Sequence, residues 1–148
     1  MKRAILAICL AFLAAISVLT ISSAATSAAP TVVTPGSLTW APLKGAPGVQ
    51  TAAVWGDPTK PGPFIIRVKF EDGAKVGLHW HPQDEHATVL SGTLMFAFTD
   101  KEDAAKLKPL GPGTFYYVPK GVRHYGVAKG PTVVQISGMG PRVTNMVK

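Results

Sequence analysis

The sequence predicts an all-β barrel with one short helical insert. Short runs of β-branched and aromatic residues recur along it, Gly or Pro separates nearly all of them, and a single stretch reads as helix. With 148 residues the chain has the length of one domain, enough to bury roughly two-thirds of its unfolded surface.

Met1-Lys2-Arg3 precedes an apolar run over 4–21 and then Ser23-Ala24-Ala25, the build of a secretory signal peptide over residues 1–25. Cleavage is expected after Ala25, with Ala29 as the other site. The apolar run approaches the ~20 residues that a bilayer-spanning helix needs, so a retained anchor is the competing reading. The short basic start and the small residues favour removal. The mature protein is then exported, periplasmic or secreted, with no membrane attachment. Cys9, the single cysteine, leaves with the peptide, so the domain offers no thiol to a disulfide, to catalysis or to a metal.

Residues 26–50 are rich in Pro, Gly, Ser and Thr, with short hydrophobic spots at Val32-Val33 and Leu38-Thr39-Trp40, and read as a lead-in arm with one edge strand. The barrel is expected over 51–141, with strands at 51–55, 64–70, 76–81, 86–90, 93–98, 114–118, 124–128 and 132–137. Residues 142–148 are left as a C-terminal tail. Gly92 lies between two strong strand runs and predicts a tight hairpin needing positive φ. The helix is expected over 101–107, capped by Asp100. No internal repeat is evident, which argues for a single barrel.

The formal charge is +7, or +5 once Lys2 and Arg3 are removed. The lysines are scattered, with no basic run and no interleaved aromatic-basic motif, so nucleic acid is not an expected partner.

The chemistry concentrates at His79, His81 and Glu85. Residues two apart on a strand point to the same side, so His79 and His81 can both face inward while Trp80 faces the other way. A turn at Pro82 could swing the Glu85 carboxylate back beside them. Nitrogen and carboxylate ligands suit Mn, Fe, Co, Ni, Cu or Zn.

Residues 73–92 read G-x5-H-x-H-x3-E-x6-G, which resembles the first motif of the cupin superfamily. Residues 113–124 read G-x5-P-x-G-x2-H, which is similar to the second cupin motif. The resemblance implies a jelly-roll barrel, the double-stranded β-helix, and it adds His124 as a third imidazole. One divalent transition metal, Fe, Mn, Ni, Cu or Zn, is then expected on His79, His81, Glu85 and His124. One place departs from the pattern: the family's usual Asn, four residues after the second-motif His, is Ala128 here. That puts in doubt any hydrogen bond made from that position.

Alternatives stay open around this set. A strand offset by one residue would turn His86 inward and Glu85 outward, and three-histidine cupin sites exist in which Glu85 would serve as a base or sit on the rim. Ala87 and Val89 share the inward parity of Glu85, which predicts a small-walled apolar cavity. Trp80, Phe96, Phe98, Phe115, Tyr117 and Tyr125 read as barrel-wall or subunit-interface packing. Arg67 and Arg123 are the candidates to meet a carboxylate at the rim.

By resemblance the leading enzymatic expectation is a dioxygenase-type oxidoreductase acting on a small organic substrate. A non-catalytic extracytoplasmic module that binds a metal or small ligand is the second reading, and a metal-dependent isomerase or hydrolase the third. A homodimer is expected from the need to protect sheet edges and from the habit of the family.

Overall fold

A computed structural model describes residues 29–147; the expected signal peptide over 1–25 lies outside the described residues. Among the described residues no helix is long and apolar enough to cross a membrane. The strands are β1 (Ala41–Pro42), β2 (Val49–Trp55), β3 (Gly62–Phe70), β4 (Lys75–Trp80), β5 (Glu85–Phe98), β6 (Lys108–Leu110), β7 (Phe115–Val118), β8 (His124–Gly140) and β9 (Asn145–Met146). Every pairing is antiparallel.

The expected all-β jelly roll is what forms. Its sheet has two leaves because β5 and β8 are long enough to belong to both. The early half of β5 and the late half of β8 lie with β1, β2, β3 and β7, and their other halves lie with β4, β6 and β9. Strand β3 alternates cleanly, with Phe64, Ile66, Val68 and Phe70 buried between the leaves. Each such side chain contributes about 1.5–3 kcal/mol by leaving water. Val89, Val118 and Val134 fill the centre of the same core at 1% exposure or less.

Three expectations are corrected here. The hairpin at Gly92 is not a reversal: runs 86–90 and 93–98 are one strand, β5, and runs 124–128 and 132–137 are likewise one strand, β8. Gly92 does take positive φ, +77°, but it serves a bulge at the corner between the leaves, where the β5–β8 register shifts. The buried Thr132 hydroxyl accepts from Thr93 N at 3.1 Å and so satisfies a backbone group at that corner. A Cβ on Gly92 would collide with the Pro131 carbonyl and sit 2.7 Å from Thr132 Cα. Gly92→Ala is therefore expected to cost about 3 kcal/mol from strain and overpacking, a fall of roughly 10 °C in Tm. An unchanged melting curve would show that the corner tolerates a side chain.

The expected helix over 101–107 is a single 3-10 turn, Ala104–Lys106, and its cap is Asp103, whose Oδ1 accepts from Ala105 N at 3.0 Å. Seven residues are too few to support an α-helix without help, and Asp103 offers the backbone a competing local bond. The turn is anchored by a small second core of Leu78, Ala97 and Tyr125, packed against Leu107, Val127 and Val147.

The segment set aside as a tail belongs to the barrel. Strand β9 pairs with β4, and Val147 N donates to Leu78 O at 2.9 Å. At the other end, the lead-in arm contributes β1 as an edge strand and the buried Ala46. Strand β1 falls just after the second of the arm's two hydrophobic spots, Leu38-Thr39-Trp40.

Candidate metal centre

His79 and His124 are cross-strand partners on β4 and β8, which sets their rings side by side with centroids 4.2 Å apart. A shift of the β4–β8 register between Val76 and His79 marks a bulge in β4. Glu102 stabilises it: Oε1 accepts from Leu78 N at 3.0 Å, while Oε2 pairs with Lys75 Nζ at 2.8 Å. His81 lies just beyond the end of β4, and its carbonyl accepts from Gly121 N at 2.8 Å. Asp84 Oδ1 accepts from Lys120 N at 2.8 Å. These two bonds join the turns of both motifs and account for the Pro119-x-Gly121 spacing, with Gly121 at φ +79°.

The three imidazoles converge. Their ligand atoms lie within 4.8 Å of one another, and all three residues are buried. Each ring is oriented by a backbone carbonyl through Nδ1: His79 to Gly77 O at 2.7 Å, His81 to Val143 O at 2.7 Å and His124 to Val122 O at 3.0 Å. A carbonyl can only accept, so each Nδ1 carries the proton and each Nε2 keeps its lone pair. This is the arrangement that fixes an imidazole for metal ligation.

Burial pushes all three imidazoles below their ordinary range, so they are neutral at pH 7. His79 falls from 6.5 to about 3, through burial and then the neighbouring His124. His81 and His124 are also lowered by burial, although Glu85 pulls both the other way. Burial opposes the charge of Glu85, but Arg142, then His81 and His124, outweigh it and leave its pKa lowered.

Glu85 is buried and points inward; His86 is exposed and stacks on Tyr117 at 5.1 Å outside the barrel. The alternative offset is thereby excluded. Glu85 Oε2 lies 3.3 Å from His81 Nε2, yet that nitrogen is buried and has no hydrogen-bond partner. Two atoms that both offer lone pairs face each other, a contact that a proton or a metal ion shared between them makes favourable. Three neutral nitrogens within 4.8 Å of one another fit a divalent transition metal; Glu85 does not fall within that group, and its contact with it is the one to His81.

Arg142 was not expected. Its Nη2 donates to Glu85 Oε2 at 3.1 Å and its Nη1 to Thr144 Oγ1 at 3.2 Å. It lies 57 residues from Glu85 in sequence, so only the return of the chain along β4 brings it to the site. The rim candidates sit elsewhere: Arg67 donates to Gln135 Oε1 at 3.1 Å, and Arg123 is 4.0 Å from an exposed Asp100. Tyr116 was also missed. It pairs with Ala87 across β5–β7 and shares its inward parity, whereas Phe115 and Tyr117 are exposed. Burial pushes the Tyr116 hydroxyl pKa far up, so it remains a proton-bearing donor.

Beside the histidines is a cavity of ≈ 200 Å³. Its walls are largely apolar, with Ile66, Val68, Phe70, Leu94, Phe96 and Ile136 prominent. Ala87 and Val89, expected to line it, are packed into the core instead. Its polar lining comprises His79, His124, Glu85, Tyr116 and Arg142, with Lys44, Thr51 and Thr144. Ala128, where the usual motif has Asn, packs into the core and sends no polar group to the site.

A family model described as Cupin domain matches residues 66–137. No curated protein matches the chain. Among solved structures, the polyketide cyclase RemF from Streptomyces resistomycificus is similar with a TM-score of 0.70 at 15% identity, covering 81% of this chain and 87% of that one. KdgF from Halomonas sp. gives a TM-score of 0.61 at 21% identity, with 76% and 96% covered. The DMSP lyase DddQ from Ruegeria pomeroyi DSS-3 gives 0.61 at 17% identity, with 76% and 62% covered. At such identities the likeness is one of fold.

Proposed function

Residues 66–137 place this chain in the cupin superfamily, and we propose that it is a metal-dependent enzyme that oxidises a small organic molecule in the manner of a dioxygenase. The observation that carries this reading is the set of three buried imidazoles, each tied at Nδ1 and free at Nε2, of which His79 and His124 line an apolar cavity. His79, His81 and His124 would hold the ion and Glu85 would complete the set. Four protein ligands leave up to two positions for substrate, water or dioxygen. Bound there, Fe, Mn, Ni or Cu would supply both Lewis-acid and redox chemistry; Zn would supply only the first.

The protein's own groups have separate tasks. Arg142 keeps Glu85 ionised and directs one of its oxygens. The half-buried Tyr116 offers a hydroxyl proton, and the apolar walls take up the body of the substrate while excluding water. At ≈ 200 Å³ the cavity is below the ~300–1,000 Å³ of drug-sized sites, so the substrate is small.

Tyr116 and Arg142 beside the ligands also favour a second reading, Lewis-acid chemistry without oxygen. A polyketide cyclase and a DMSP lyase among the fold relatives support it by analogy alone. The test is elemental analysis of the protein from its exported fraction, followed by anaerobic reconstitution with each ion and a substrate panel. Metal-dependent oxygen uptake is the expected result. Turnover that proceeds without oxygen would replace oxidation by the Lewis-acid reading, and absence of any turnover with the metal bound would leave a binding module. We further propose export, so that the same sample should begin at Thr26 when sequenced from its amino terminus; a start at Met1 would refute it.

A further inference from the structure

We propose that the cavity is a carboxylate site, in which Arg142 selects a small monocarboxylate with an apolar body. The inference rests on the metal reading above and names the substrate class for the same site.

The first argument is charge. A divalent ion and Arg142 bring three positive charges to the site, against the single negative charge of Glu85. Buried charge is costly unless it is paired, and the imidazoles are neutral. Among the described residues Glu85 is the carboxylate lining this cavity, while Lys44 at its mouth adds a further cation. The group that balances the loaded site is therefore an anion from outside.

The second argument is geometry. A guanidinium carries five N–H donors in a planar fork suited to a carboxylate. Hydrogen bonds to Glu85 and Thr144 account for two of them, and Arg142 lines the cavity with its side chain 21% exposed. Donors thus remain for a ligand beside those that hold the arginine in place.

The third argument is the remaining surface. Away from the histidines the cavity is walled chiefly by Ile66, Val68, Phe70, Leu94 and Phe96, with Thr51, Thr144 and the exposed Lys44 as its other polar lining, so the body of a ligand meets mostly apolar surface. At protein-like packing, a cavity of ≈ 200 Å³ holds about ten non-hydrogen atoms. One charged end and a compact apolar body describe an aromatic or branched monocarboxylate.

The test is calorimetric titration of zinc-loaded protein with benzoate, with its neutral isostere benzamide and with phenylphosphonate. Benzoate is expected to bind at least about tenfold more tightly than benzamide. Arg142→Met should cut the preference at least severalfold, the remainder being the attraction of the ion, and Arg142→Lys should keep more of it, since it retains charge but loses the fork. Equal binding of benzoate and benzamide by the native protein, or an unchanged preference in Arg142→Met, would overturn the proposal; tighter phenylphosphonate would replace carboxylate by phosphate chemistry. If Arg142→Met fails to fold, the native panel and Arg142→Lys decide. Zinc content is measured on every sample: native protein that takes up no zinc sinks the metal reading, while the benzoate preference of the metal-free form still judges Arg142.

Discussion

Replacing His79 and His124 together with alanine is expected to reduce bound metal from about one ion per chain to below about 0.1, at least a thousandfold loss of affinity, because a single imidazole and a carboxylate do not hold an ion against dialysis. The two residues sit opposite each other on β4 and β8, with their Nδ1 bonds spent on backbone carbonyls, so neither can be replaced by a shifted neighbour. Glu85→Gln provides the contrast. It leaves the three nitrogens in place and is expected to weaken binding about 10–100-fold without abolishing it. Elemental analysis after dialysis measures both, and circular dichroism of the metal-free forms checks that the barrel persists. Retention of stoichiometric metal by the double variant would remove these histidines from the site.

Acid should destabilise the metal-free protein well before its carboxylates titrate. His79 has a folded pKa of about 3 against 6.5 when unfolded, and His81 and His124 are lowered in the same direction. Below pH 6.5 the unfolded chain therefore binds more protons than the folded one, and stability falls as pH falls. At about 1.4 kcal/mol per pH unit for each fully shifted group, His79 alone accounts for about 2 kcal/mol between pH 6.5 and 5. The other two add to it. Glu85 acts elsewhere: its lowered pKa stabilises the fold above its ordinary 4.5, and that contribution is lost only as pH falls below it. The window from pH 7 to 5 thus isolates the histidines. Thermal melts of metal-free protein should lose roughly 10 °C across it, and saturating zinc should flatten the loss because bound imidazoles resist protonation. A flat metal-free profile would mean that the imidazoles are not buried as neutral groups.

The three histidines that converge were legible in the sequence because their pattern is local. The parity of His79 and His81 along one strand, and the Pro119-x-Gly121 turn before His124, are short-range patterns that the fold reproduces. The corner at Gly92 was not legible, because positive φ at a glycine is required equally by a hairpin and by a bulge; only the pairing of β5 with β8 distinguishes them. Arg142 gave no signal at all. Its contact with Glu85 depends on where the chain returns after β8, a tertiary fact with no periodicity. Tyr116 could have been found, since it shares parity with the buried Val118 two residues on, but the aromatic residues on either side masked it.

The central claim is that three imidazoles present Nε2 lone pairs to one ion, and the four histidines of this chain allow a direct test with an internal control. Long-range proton–nitrogen correlation spectra of the metal-free protein should show His79, His81 and His124 as Nδ1–H tautomers. On titration with zinc, the Nε2 resonances of these three should shift together and saturate at one equivalent, while the exposed His86 stays where it was. Nε2–H tautomers in the three, or zinc-dependent shifts confined to His86, would contradict the account.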